Sequence, residues 1–102
     1  MKSTLVFVFT FLAIGFSMAQ EPNYSPESGY IPDSKTAVAV AEAVLAPIYG
    51  QERVLNQRPF SVNEGADQWT VSGSRRRGEL GGVATIVISK KTGAILRVSH
   101  SR

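Results

Sequence analysis

The chain carries one histidine, His100, and no cysteine, which removes most site chemistry before any fold is considered. A serine or threonine nucleophile needs a histidine base beside it and a third group to orient that base. His100 stands at the end of the last apolar run and reads as a solvent-exposed side chain. Metal sites need several ligands, and one histidine without a thiol leaves only carboxylates, whose spacing matches no calcium loop. Glu64 and Asp67 come nearest to an acid–base pair, yet both fall among turn-forming residues, where water surrounds them. The expectation is a protein with no catalytic residue, no metal and no cofactor.

Two further features carry more than one reading. Gly78, Gly81 and Gly82 make no phosphate cradle, because no strand-to-helix turn follows them; they let the chain bend and start a strand. Beside them, Arg75, Arg76 and Arg77 form the one local charge run. It is either a solvated connection or a contact surface for an acidic partner, since guanidinium forks match carboxylates in pairs. Trp69 is either a core side chain or an interface anchor, and its alternation with Val71 favours the core.

The elements that must position these groups occupy only part of the 102 residues. Residues 1–19 have the layout of a secretory signal: Lys2, a greasy run over residues 5–16, and the small-residue motif Ser17-Met18-Ala19, with cleavage expected after Ala19. The run is shorter than the ~20 apolar residues a spanning helix needs, so no membrane anchor is expected after cleavage. The destination is the periplasm or the exterior. Loss of Lys2 leaves ten basic and eight acidic side chains, too weak a bias for the basic face of a nucleic-acid binder.

Residues 20–31 hold two prolines and a glycine without apolar periodicity and read as an extended lead-in, with Tyr30 and Ile31 pinning its end. Asp33 or Ser34 can cap a helix in which Ala37, Val38, Ala41, Val44, Leu45 and Ile48 recur at helical spacing. Pro47 is expected to kink or restart the helix before Gly50 ends it. A short turn over residues 51–56 follows, with Val54 and Leu55 inward. From Pro59 the period becomes two. Pro59-Phe60-Ser61-Val62 and Gln68-Trp69-Thr70-Val71-Ser72 predict a hairpin that turns its Phe60, Val62, Trp69 and Val71 face to the helix. Val83-Ala84-Thr85-Ile86-Val87-Ile88 and Ala94-Ile95-Leu96-Arg97-Val98 predict a second. Helix and strands segregated in sequence mean an α+β fold, one N-terminal helix packed on an antiparallel sheet of about four strands.

The string itself also matters. Tyr30-Ile31-Pro32-Asp33, Pro47-Ile48-Tyr49-Gly50, Arg58-Pro59-Phe60, Trp69-Thr70-Val71-Ser72-Gly73, Gly81-Gly82-Val83-Ala84 and the stretch from Gly93 to His100 together resemble the NTF2-fold immunity proteins of bacterial polymorphic toxin systems. With the leader set aside, the length suits a reduced, cystatin-like version of that fold over residues 32–102. The resemblance implies a small, non-enzymatic protein that binds and neutralises a cognate protein toxin. Combined with the leader, it implies a toxin acting in the periplasm or envelope. The residues leave open an exported cystatin-like hydrolase inhibitor or a small-ligand-binding module. For a binding surface the sequence offers the loop with Arg75, Arg76, Arg77 and Glu79, and the outer sheet face with Thr70, Thr85 and Arg97.

Overall fold

A computed structural model describes residues 21–75 and 81–101; the leader and Arg76, Arg77 and Glu79 of the proposed contact loop lie outside them. Asp33 starts helix α1 (Ser34–Tyr49), accepting hydrogen bonds from the Thr36 amide at 2.8 Å and the Thr36 hydroxyl at 2.7 Å. These bonds, the hydroxyl's first, hold the Asp33 carboxyl below its ordinary pKa. The helix runs through Pro47 to Tyr49, and the Gly50 amide closes it on the Ala46 carbonyl at 2.8 Å. The restart comes after Gly50, as α2 (Gln51–Asn56).

Four strands follow: β1 (Ser61–Glu64), β2 (Gln68–Ser72), β3 (Ala84–Ser89) and β4 (Ile95–His100). They form one antiparallel sheet in the order β1-β2-β3-β4, each strand beside its sequence neighbour. The register puts Val62, Val71, Ile86 and Val98 in one row across it. Helix α1 lies over that face, so the expected α+β arrangement is the one observed.

Ala37, Ala41 and Leu45 are fully buried against Trp69, Val71, Ala84, Ile86 and Ile88, with Ile31 and Val54 closing the two ends of the core. Small alanines let the helix sit close to the sheet, and branched chains on β3 fill the space between. Phe60 precedes β1 and is half-buried with Val62 at the core margin.

Two expected inward side chains point out. A stripe through positions 37, 41 and 45 advances four residues at a time and continues to Tyr49, which packs on the core, whereas Ile48 is 53% exposed. In α2 only one face of a six-residue helix reaches the core; Val54 takes it and Leu55 stays outside. The lead-in behaves similarly. Ile31 is buried while the Tyr30 ring lies outside, its hydroxyl donating to the Tyr24 carbonyl.

That lead-in is pinned by main chain. The Tyr30 and Ile31 amides donate to the Lys91 and Lys90 carbonyls at 3.1 and 3.0 Å, joining it to the β3–β4 turn. Trp69 completes the junction from inside, its Nε1 donating to the Ile31 carbonyl at 2.9 Å. Lys90 lies 4.9 Å above the Trp69 ring and pairs with Glu64 at 2.6 Å. Trp69 is thus a core residue with its one polar atom satisfied.

Candidate functional site

Beyond the core, a cleft lined by polar groups lies at the end of the molecule where α2, the approach to β3 and the end of β4 meet. It has a volume of about 340 Å³, and Arg53, Gln57, Ser74, Arg75, Gly82 and His100 contribute to its walls. Arg53 and Gln57 are four residues apart across the end of α2, which puts them on the same side of the chain.

Gln57 is the fixed part of the floor. Its Oε1 accepts the Ala84 amide at 2.9 Å, and its own carbonyl accepts the Ser74 amide at 2.7 Å. A backbone amide can only donate, so the side-chain oxygen is identified and the other end of the amide is Nε2, a donor. Gly73 makes this possible: a Cβ there would stand 2.2 Å from Gln57 Oε1. Opposite, a Cβ on Gly82 would stand 1.5 Å from the Ser101 carbonyl oxygen, so the chain entering β3 and the chain leaving β4 pass closer than any other residue type permits. The double glycine therefore serves a close approach as well as a bend.

His100 ends β4 opposite Ala84, on the face that meets the helix. Its Nδ1 is 2.8 Å from the Ser101 carbonyl, which only accepts, so Nδ1 carries a proton. The ring leans on Tyr49 with centroids 5.1 Å apart. The arrangement is a recess with a fixed amide donor in its floor and two arginines among its lining residues. Among the described residues no carboxylate lines it, and no group of three or more His, Asp or Glu is placed to hold a metal ion.

The residues expected to bind a partner divide between two surfaces. Arg75 lines the cleft. Thr70 and Arg97 both align with Val87 on the opposite, outer face of the sheet, and Thr85 lies there beside Ser72, their hydroxyls 3.1 Å apart. Arg76, Arg77 and Glu79 fall in the undescribed segment. Glu64 and Asp67 are exposed, and Glu64 ends β1 rather than lying in the turn. Arg53, Gln57, Ser74 and Gly73 were not singled out by sequence; the four-residue spacing of Arg53 and Gln57 was the available signal.

Away from the cleft, Arg58 holds Glu42 through two hydrogen bonds, 2.7 and 2.9 Å long, tying α1 to the approach to β1. The guanidinium lowers the Glu42 pKa, and the carboxylate raises that of Arg58.

Comparison with known proteins bears on the whole domain. A family model described as NTF2 fold immunity protein matches residues 36–102. Uncharacterized protein YbbC of Escherichia coli (strain K12) is 34% identical over 67 residues, which is 65% of this chain and 55% of that protein. Uncharacterized protein YhhH of the same strain is 31% identical over 67 residues, 65% of this chain and 53% of its own length. The chain thus spans about half the length of the curated relatives it matches. No solved structure gives a significant match.

Proposed function

Because the chain belongs to the NTF2-fold immunity protein family, we propose that it is an exported, non-enzymatic immunity protein that binds and neutralises a cognate protein toxin acting in the periplasm or envelope. The observation that carries this reading is the family match across residues 36–102, which takes in α1 from its first turn and all four strands. Export rests on the signal-like layout of residues 1–19. A binding role agrees with a cleft lined by Arg53, Gln57 and Arg75, in which the Ser74 hydroxyl donates to the Pro59 carbonyl rather than to His100.

Deletion of the gene in its native host, followed by challenge with the product of an adjacent toxin gene, tests the proposal. Cells lacking the protein should be killed, and the full chain should restore growth. A chain without residues 1–19 should not, because it would stay on the wrong side of the membrane. Equal survival with and without the gene would refute the immunity role, and full rescue by the leaderless chain would refute action outside the cytoplasm.

A further inference from the structure

We propose that the cleft between α2 and the ends of β3 and β4 is the toxin-facing surface, and that it receives a carboxylate-bearing loop of the toxin. This rests on the immunity reading above and adds to it the place and the chemistry of contact.

Charge complementarity is the first argument. Arg53 and Arg75 stand at the walls of one recess with no acidic side chain among its described lining residues, whereas Arg58 and Lys90 are each already paired, with Glu42 and Glu64. Two arginines bordering one recess can match a pair of carboxylate oxygens, because each guanidinium presents a planar fork of donors.

Preorganisation is the second. Gln57 is held at both its side chain and its main chain, so its Nε2 donor occupies a fixed place and loses little freedom on binding. Gly73 and Gly82 allow that floor to form, since a Cβ at either position would overlap it or the neighbouring strand end. A recess whose floor requires two glycines is a built shape.

Size and lining are the third. About 340 Å³ lies near the lower end of the range for ligand pockets, and arginine, asparagine, glutamine, serine, glycine and the His100 ring line it, with no aliphatic side chain among its described walls. Such a recess suits one or two side chains inserted from a protein loop. The outer sheet face, with Arg97 as its one cation among the paired strand positions, offers no comparable concentration of charge.

The full chain, purified without its leader, can be titrated with a hexaglutamate peptide, a hexaglutamine peptide and inorganic phosphate while ¹H–¹⁵N resonances are followed. Hexaglutamate should shift the Arg53 and Gly82 amides and the Gln57 side-chain amide. Hexaglutamine should not, and phosphate should do so far more weakly at equal concentration. The double variant Arg53→Glu/Arg75→Glu removes only exposed side chains and should weaken hexaglutamate binding by about tenfold or more, while Arg97→Glu on the outer face should change it less than about twofold.

Shifts centred on Thr70, Thr85 and Arg97, equal shifts with phosphate alone, or unchanged binding by the double variant would overturn the proposal. The adjacent-gene toxin supplies the second arm. If it binds the wild type and the double variant equally, the cleft assignment fails while the immunity reading stands. If it binds neither while hexaglutamate still seats in the cleft, the immunity reading fails and the acidic-loop site remains.

Discussion

Replacing Gly82 with alanine tests the packing that shapes the cleft. An added Cβ would stand 1.5 Å from the Ser101 carbonyl oxygen, against the 3.4 Å of an ordinary contact, so one chain must retreat by nearly 2 Å. The obstacle is backbone, which has no rotamer to change. Of the three hydrogen bonds that cross this junction, that of the Ser101 hydroxyl to the Val83 carbonyl is long at 3.4 Å; the two stronger ones are Ser101 amide to Val83 carbonyl at 3.1 Å and Val83 amide to Ser101 hydroxyl at 3.0 Å. Separation of that size breaks both. At about 1 kcal/mol net for each bond, the loss is about 2 kcal/mol, a sizeable share of the ~4–10 kcal/mol expected for a domain of this size. It corresponds to a fall in melting temperature of roughly 8–16 °C. Thermal unfolding followed by circular dichroism reads the stability, and hydrogen exchange at the Ser101 amide reads the local opening. Ser101→Ala is the control, since it removes the hydroxyl without a clash and should cost only about 1 kcal/mol. A Gly82→Ala protein that melts within about 2 °C of the wild type, with Ser101 protection intact, would show that the close approach is not part of the fold and would remove one support of the preformed cleft.

Other substitutions probe the rest of the framework. Trp69→Phe takes the indole donor from the Ile31 carbonyl, leaving a buried acceptor unpaired; it should cost about 1–3 kcal/mol and speed exchange at the Ile31 amide, and unchanged exchange there would contradict the pinning of the lead-in. Glu42→Gln tests the link between α1 and Arg58, whose contribution should be small because the guanidinium end of the pair is exposed and water screens it. Since Arg58 lowers the Glu42 pKa in the folded protein, the wild-type advantage should be present above the ordinary carboxylate range and disappear as pH falls through the lowered value. Asp33 titrates in both proteins and cancels in the comparison. A difference in melting temperature that persists into strong acid would mean that something other than the ion pair is responsible.

Much of this structure is legible in the sequence because it depends on local periodicity. Ala37, Ala41 and Leu45 define a stripe, Trp69 and Val71 an alternation, and Asp33 a cap, each within a few residues of its neighbours. The errors arise where geometry accumulates along the chain. Ile48 and Tyr49 both satisfy a loose helical spacing, and only the four-residue advance from Ala37 selects Tyr49. Val54 and Leu55 are both apolar, but a helix too short to turn twice can bury only one. The cleft was beyond local reading altogether, because its walls come from residues 53–57, 73–75, 81–82 and 100. Gly82 was recognisable as a bend; its contact partner, Ser101, is 19 residues away. The two surfaces that the sequence offers stay separate in the fold: Arg75 lines the cleft, and strand register sets Thr70, Thr85 and Arg97 together on the outer face.

The two faces differ in what they would offer a partner. Across the outer face, Ser61, Ser72, Thr85 and Ser99 align in one row that crosses all four strands, and Asn63, Thr70, Val87 and Arg97 form the next. Hydroxyl groups on an open sheet can exchange hydrogen bonds with water, so covering them gains little and costs desolvation wherever the partner's groups do not match. The same row explains how a four-stranded sheet keeps one face open without exposing a large apolar patch. At the cleft the balance is reversed. Its Gln57 amide donor is held in place beside two exposed arginines, so an acidic loop would meet at least one donor whose ordering cost was met on folding. Specific recognition by a domain this small is better served by that end than by its broadest surface, which is why charge reversal at Arg53 and Arg75, rather than at Arg97, is the decisive experiment.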